Sequence, residues 1–232
     1  VSADRDYVIR STVLGVKNLS IAEIQKHFSY QVYVEYGANA AGFGTVWRSK
    51  ELKDAVYVIV TNNGVAGSII LNNEIYHGRT GRAGAFGHIT LNPSGRKCFC
   101  GACGCWSAYN ALNALTGLDE TDLDGFFEKV NNEDPDAIAK WDEYLTYFAD
   151  GLSTVSMSFD IDIVIGGPLA VYLEPWLDTI ISKMQSRPTL NGENISIHLD
   201  TKSESPMAEG VALMIVAKFL NDELDNFRFD EL

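Results

Sequence analysis

Residues 81–107 read GRAGAFGHITLNPSGRKCFCGACGCWS, and every cysteine of the chain lies in this one segment: Cys98, Cys100, Cys103 and Cys105, with His88 upstream of them. Thiolate and imidazole donors together suit Zn2+, whose structural sites are tetrahedral and closed, commonly with three Cys and one His. Asn92, Pro93, Ser94 and Gly95 form a turn-rich link able to fold the histidine back onto the thiols. Four cysteines for three vacancies leave one surplus, and we take His88, Cys98, Cys100 and Cys105 as the ligands, with Cys103 spare. Free cysteines usually pack as small apolar residues, but scattered core positions do not gather in one glycine-rich loop. Disulfides would require an oxidising compartment, to which nothing else in the composition points.

Outward from this loop, the 232 residues are enough for a substantial core, and a 46% hydrophobic composition is ordinary for a globular protein. No apolar run reaches membrane-spanning length and no signal peptide opens the chain, so a cytoplasmic location without membrane contact is expected. The formal charge of −13 argues against this segment gripping a nucleic-acid backbone, which needs clustered Lys and Arg. Residues 119–136 (DETDLDGFFEKVNNEDPD) read as a solvated acidic stretch. The chain opens at Val1 on what reads as mid-domain sequence, so an N-terminal part is expected to precede it.

Residues 7–16 read as extended. Ser20 and Glu23 resemble a capping box for a helix over 21–28, followed by a strand at 31–35 and a small-residue helix over 38–49. Residues 55–61 (AVYVIVT) form a near-continuous apolar run, the pattern of a buried central strand. Strands at 67–71 and 74–76 flank Asn72-Asn73, a hairpin signal. A helix is predicted over 106–115. Over 137–159, Ile138, Trp141, Leu145, Phe148, Leu152 and Val155 recur at helical spacing. A strand at 161–165 runs into Gly166-Gly167-Pro168 and a helix reaching about 184. A strand at 195–199 precedes a last helix from Pro206 to about 224, with proline at the first helical position. Alternating strands and helices make the chain α/β.

With these elements in place the sequence resembles the ROK family (repressors, open reading frames and sugar kinases). The family's G-x-x-G-E-x-G-H and C-x-C-G-x-x-G-C-x-E are matched by Gly81-Arg-Ala-Gly84-Ala85-Phe-Gly87-His88 and by Cys98-Phe-Cys100-Gly101-Ala-Cys103-Gly104-Cys105-Trp106-Ser107. Glu35-Tyr36-Gly37-Ala38-Asn39-Ala40-Ala41 is similar to E-N-D-A-N-A-A, and Asn62-Asn63-Gly64-Val65-Ala66-Gly67 to G-T-G-I-G-G. The strand before Gly166-Gly167 is similar to the one near the family's nucleotide cleft. The resemblance implies the two-lobed fold of actin and hexokinase (ribonuclease H-like), with a sugar cleft between lobes. Here the first lobe reads as incomplete, because the family's Asp-x-Gly-Gly-Thr phosphate turn has no counterpart. Residues 1–50 are then a partial first lobe, to which the C-terminal segment 206–232 returns, and 51–205 the second lobe carrying the zinc loop.

The resemblance also assigns roles that these residues do not all meet. A sugar kinase needs a carboxylate base and acceptors for sugar hydroxyls. The family's base is the Asp of E-N-D, where this chain has Gly37, and its sugar-binding Asn is Tyr36. The two sugar-facing glutamates are Ala85 and Ser107. Loss of a positioned base typically costs roughly 10²–10⁴ in rate, and each lost bond to a charged acceptor about 1.5–3 kcal/mol. His88 could ligate metal through one ring nitrogen and offer the other toward the cleft. A degenerate ligand site of Tyr36, Gly37, Ala85, His88 and Ser107 is therefore expected, with a structural Zn2+ and no enzymatic activity. These features point to the repressor branch of NagC/XylR type. The chain would be the effector-sensing and oligomerisation portion, binding a sugar or sugar phosphate, forming a homodimer or tetramer, and reaching DNA only through an upstream domain. The rival reading is an ATP-dependent sugar kinase of glucokinase or N-acetylmannosamine kinase type.

Overall fold

The computed structural model describes residues 1–2, 5–11, 15–117, 122–203 and 205–226. Strands β1 (Tyr7–Ser11) and β2 (Val16–Ser20) form an antiparallel hairpin, so the extended reading of 7–16 captured its first arm; its turn at 12–14 lies outside the described residues. Helix α1 is a single turn, Ile21–Gln25, and the capping box does not form. Ser20 makes no side-chain cap bond, and Glu23 pairs instead with Lys26 at 2.6 Å. The strand expected at 31–35 is absent too. Gln25 binds the chain there, accepting the Val32 N–H at 2.7 Å and donating to the Tyr30 carbonyl just before the stretch at 2.7 Å.

Helix α2 (Gly37–Arg48) leads into β3 (Ala55–Thr61), β4 (Gly64–Leu71) and β5 (Glu74–Ile75). Asn72 and Asn73 both take positive φ, 54° and 64°, as a two-residue hairpin turn matching strand twist requires. The helix predicted over 106–115 is broken in two, α3 (Ser107–Asn110) and α4 (Asn113–Thr116). At the break Leu112 N–H turns to the Thr61 carbonyl (3.0 Å) and Asn113 N–H to that of Asn62 (3.3 Å), which fastens the segment to the β3–β4 turn.

Part of the acidic stretch is structured. Within it α5 (Leu123–Asn131) buries Leu123, Phe126, Phe127 and Val130 and turns its charges outward, an amphipathic helix where a solvated run was expected. Helix α6 (Pro135–Phe159) starts on Asp134, whose carboxylate accepts the Ala137 N–H at 2.8 Å, and ends at Asp160 in the left-handed conformation. Strand β6 (Asp162–Gly166) follows. The predicted helix after Gly167 begins instead as two 3₁₀ turns around Pro175 and becomes α7 only at Leu177–Gln185. Strand β7 (Ile197–Leu199) and helix α8 (Pro206–Asn226) complete the described chain.

The main sheet runs β5-β4-β3-β6-β7, antiparallel among the first three and parallel from β3 onward. Residues of β3 alternate between its two faces. Val56, Val58 and Val60 face a core built with Trp106, Trp141, Phe148, Leu152 and Phe127, while Tyr57 and Ile59 face α2. Trp141 is the hub of an aromatic cluster, with Phe127 at 5.0 Å, Tyr144 at 5.3 Å and Trp176 at 5.7 Å between ring centres. Such pairs contribute about 0.5–1.5 kcal/mol each beyond the area they bury.

A boundary at residue 50 would cut through the second layer. Ala38, Ala41 and Val46 of α2 pack with Ala55, Tyr57, Ile70 and Val164 of the main sheet, so α2 belongs with that sheet and not with the β1–β2 hairpin. Helix α8 joins the same layer, and a buried carboxylate ties it in. Asp200 accepts the Thr45 hydroxyl at 2.6 Å and the Tyr57 hydroxyl at 3.2 Å, with Arg48 at 3.5 Å; Arg48 in turn pairs with Glu209 of α8 at 2.7 Å.

Gly151 marks the tightest helix contact on the opposite face. A Cβ there would overlap the Trp106 indole ring. Gly151→Ala should therefore destabilise the fold by about 1–3 kcal/mol, although alanine favours a helix over glycine by about 1 kcal/mol. Urea unfolding of the two proteins measures the sign.

Candidate metal centre and cleft

The metal loop is folded by its own backbone before any ligand is considered. Trp106 N–H donates to the Ile89 carbonyl, Leu91 N–H to that of Gly104, Gly104 N–H to that of Arg96, and Cys98 N–H to that of Ala102, each at 2.8 Å. Gly104, at φ 77°, sits so close to Asn92 that a Cβ would overlap its carbonyl oxygen. This lacing brings His88 Nδ1 to 3.9 Å from Cys98 Sγ and sets the sulfurs of Cys100 and Cys105 3.7 Å apart. All four donor atoms lie within 4.8 Å of one another. A tetrahedral ion with metal–sulfur bonds of about 2.3 Å needs sulfur–sulfur edges of about 3.8 Å, so the arrangement fits such an ion. Cys103 is outside the group; it is exposed, and its backbone bridges to Lys97.

Burial pushes the thiol of Cys105 up to about 12, with neighbouring thiols adding to the effect, and it raises Cys98 as well. Cys100 is lowered, first by the Ala102 backbone N–H. Two buried thiols that resist ionisation are poor surface nucleophiles, whereas a cation among them supplies the charge that holds them as thiolates.

Of the five expected ligand-site residues, Tyr36 is the one among the lining residues of a small polar recess at the start of α2. It is 40% exposed, caps α2 and lines the recess with Arg5, Glu35, Asn39, His77 and Gly81. Glu35 is its centre. The carboxylate accepts the Tyr36 N–H at 2.7 Å, the Asn39 amide at 2.9 Å and the Arg5 guanidinium at 2.7 Å, with His77 Nε2 at 3.8 Å. Arg5 also meets His77 directly. Burial holds His77 below its ordinary pKa, Glu35 opposing and Arg5 assisting. Residue-type reasoning overlooked Arg5, Glu35, Asn39 and His77; the signal available was Glu35 and Asn39 spaced one helical turn apart.

Gly37 faces α8, and a Cβ built on it would lie 2.7 Å from Met207 Sδ. Ala85 is exposed on the loop before the 3₁₀ turn Phe86–His88. His88 turns Nδ1 to the sulfurs, which leaves Nε2 as the nitrogen open to another partner, and its ring meets Phe99 edge-on at 5.3 Å. Ser107 departs from expectation. It is 3% exposed, and its hydroxyl accepts the Val65 N–H at 3.0 Å, so it pins the start of β4 and does not face a ligand.

Residues 1–210 match the ROK family. The chain is 32% identical over 81 residues to the xylose repressor of Bacillus subtilis (strain 168), a stretch covering 34% of this chain and 21% of the repressor. Over 177 residues it is 28% identical to the N-acetylmannosamine kinase of Haemophilus influenzae (strain PittEE), covering 73% of this chain and 58% of the kinase. A solved ROK family glucokinase from Streptomyces griseus, in complex with glucose and AMPPNP, superposes with a TM-score of 0.80 at 23% identity, over 92% of this chain and 78% of that one. The α/β fold of the actin and hexokinase type, expected from the sequence, is thus the fold observed. Among the described residues no helix is long and apolar enough to cross a membrane.

If these four donors hold an ion, metal and folding are coupled. Thermal unfolding with and without a chelator should show a metal-dependent rise in Tm that Cys98→Ser and Cys105→Ser abolish and Cys103→Ser retains.

Proposed function

The chain belongs to the ROK family, and on that premise we propose that it is the effector-sensing and oligomerisation portion of a sugar-responsive transcriptional regulator that performs no phosphoryl transfer. The carrying observation is Gly37. The position that should hold a proton acceptor has no side chain, and Met207 of α8 occupies the space beside it. The neighbouring carboxylate cannot substitute easily, because the Glu35 side chain is buried and already accepts four hydrogen bonds from three partners. Ala85 offers no acceptor, and the Ser107 hydroxyl is committed to Val65.

His88, Cys98, Cys100 and Cys105 hold Zn2+ in this reading, as a staple that fixes the loop. Three sulfurs and an imidazole form a closed set for that ion, with no open position for a catalytic water. Self-association is supported by α8, where Ile215, Val216, Phe219 and Leu220 present an exposed apolar face. With a net charge of −13, the DNA contact is assigned to a separate, basic domain and not to this surface. The effector is a sugar or sugar phosphate, by analogy with the xylose repressor and sugar kinases the chain is similar to.

Incubation with ATP, Mg2+ and a panel of hexoses and N-acetylhexosamines should give no sugar-dependent ADP release above background. Sustained release at one turnover per second or thereabouts, a rate on the scale of ordinary enzymes, would instead establish the rival reading of a sugar kinase.

A further inference from the structure

A second cavity lies away from the recess around Tyr36. It encloses about 280 Å³ between the metal loop, α3, α4 and α6. This is close to the small end of ligand pockets, roughly 300–1,000 Å³. Its floor is buried and largely apolar, made by Tyr109, Leu115 and Tyr144. Its rim is polar and carries Arg96, Asn113, Lys140 and Glu143.

The hydrogen-bond capacity of that rim is unevenly spent. Lys140 has three donors and gives one to the Leu115 carbonyl. Arg96 Nη2 reaches both carboxylate oxygens of Glu143, at 2.9 and 2.8 Å, while Nε and Nη1 make no hydrogen bond among the described residues. The side-chain amide of Asn113 makes none either. Lys140, Arg96 and Glu143 together leave one net positive charge at the mouth of a cavity, on a chain whose formal charge is −13. A cation-lined hollow on an acidic protein concentrates small anions against the sign of the overall field. Neither aromatic ring is free to stack on an occupant. Tyr109 lies against Tyr147 at 3.8 Å on one side with the Arg96 guanidinium 5.0 Å from its centre, and Tyr144 stacks on Trp141. Recognition must therefore come from the donors.

We propose that this cavity is a second ligand site, for a small polyhydroxylated metabolite bearing an oxyanion, either a phosphate ester or a carboxylate. The oxyanion sits between Lys140 and the free edge of Arg96, and hydroxyls meet Asn113 and Glu143. Because Arg96 belongs to the metal loop and Lys140 to α6, an occupant cross-links the two. The site is independent of the recess at Tyr36 and of whether the chain transfers phosphate.

Isothermal titration of the full chain with glucose 6-phosphate, gluconate, inorganic phosphate and glucose tests it. Glucose 6-phosphate or gluconate should bind and glucose should not; which of the two binds tells ester from carboxylate. Inorganic phosphate binding as tightly as either, and weakened by the same variants, would support the site with the bare oxyanion as its recognised group. Lys140→Gln should weaken binding roughly ten- to a hundredfold, the loss expected for one charged hydrogen bond. Ala114→Phe, which fills the cavity while leaving Lys140 on the Leu115 carbonyl, should abolish it, and Tyr36→Ala should leave it unchanged. Absence of binding by all three anions at millimolar concentration overturns the proposal. So does equal binding of glucose, or binding that survives both Lys140→Gln and Ala114→Phe.

Discussion

The close approach of the metal loop to β4 is the constraint on which the rest of the site depends. Gly87 passes so near the Val65 carbonyl and the Ser107 hydroxyl that no side chain fits there. On the far side of that contact, Ser107 holds the Val65 N–H and Trp106 fills the core beneath. His88 is the next residue after Gly87, so its position is set by backbone packing against the sheet. The cysteines arrive separately, through the short bridges of Thr90 with Cys105 and Lys97 with Cys103. Two independently anchored segments thus meet at one point, and a shared ion would lock them together without having to create the arrangement.

Much of this was legible in the sequence because its signals were local. The buried strand β3, the Asn72-Asn73 turn and the long α6 each follow from residue pattern over one short window. The clustering of His88, Cys98, Cys100 and Cys105 was legible for the same reason, these donors being confined to one loop with a further thiol that the fold sets aside. What escaped were features decided by partners distant in sequence. The stretch at 31–35 alternates like a strand, but the side chain of Gln25 takes its Val32 N–H. The helix over 106–115 breaks because the β3–β4 turn offers carbonyls to Leu112 and Asn113. The acidic composition around Asp124 hid Phe126 and Phe127, whose burial is driven by Trp141.

The cleft illustrates the same limit from the other direction. Motif alignment places Ser107 opposite a ligand, since it occupies a position that carries a glutamate in the resembling family. A glutamate is long enough to leave the core, whereas serine is short enough to stay in it and bond Val65. At this position the short side chain keeps its hydroxyl in the core. Gly37 differs: with no Cβ it lets α8 approach until Met207 fills the space, so the adjustment is made by a residue some 170 positions away.

These two positions contrast with the Cys/His loop, whose four donors the fold brings together. Ser107 and Gly37 are each accommodated by their neighbours, Val65 and Met207. The thiols have no comparable escape. Cys98 and Cys105 are buried beside one another, and their burial disfavours the free thiolate. Removing one donor would leave the other three converging on a point with too few partners, in a loop whose backbone bonds also carry Arg96 and Trp106. The donor set is consequently coupled to the core through Trp106 and to the outer cavity through Arg96.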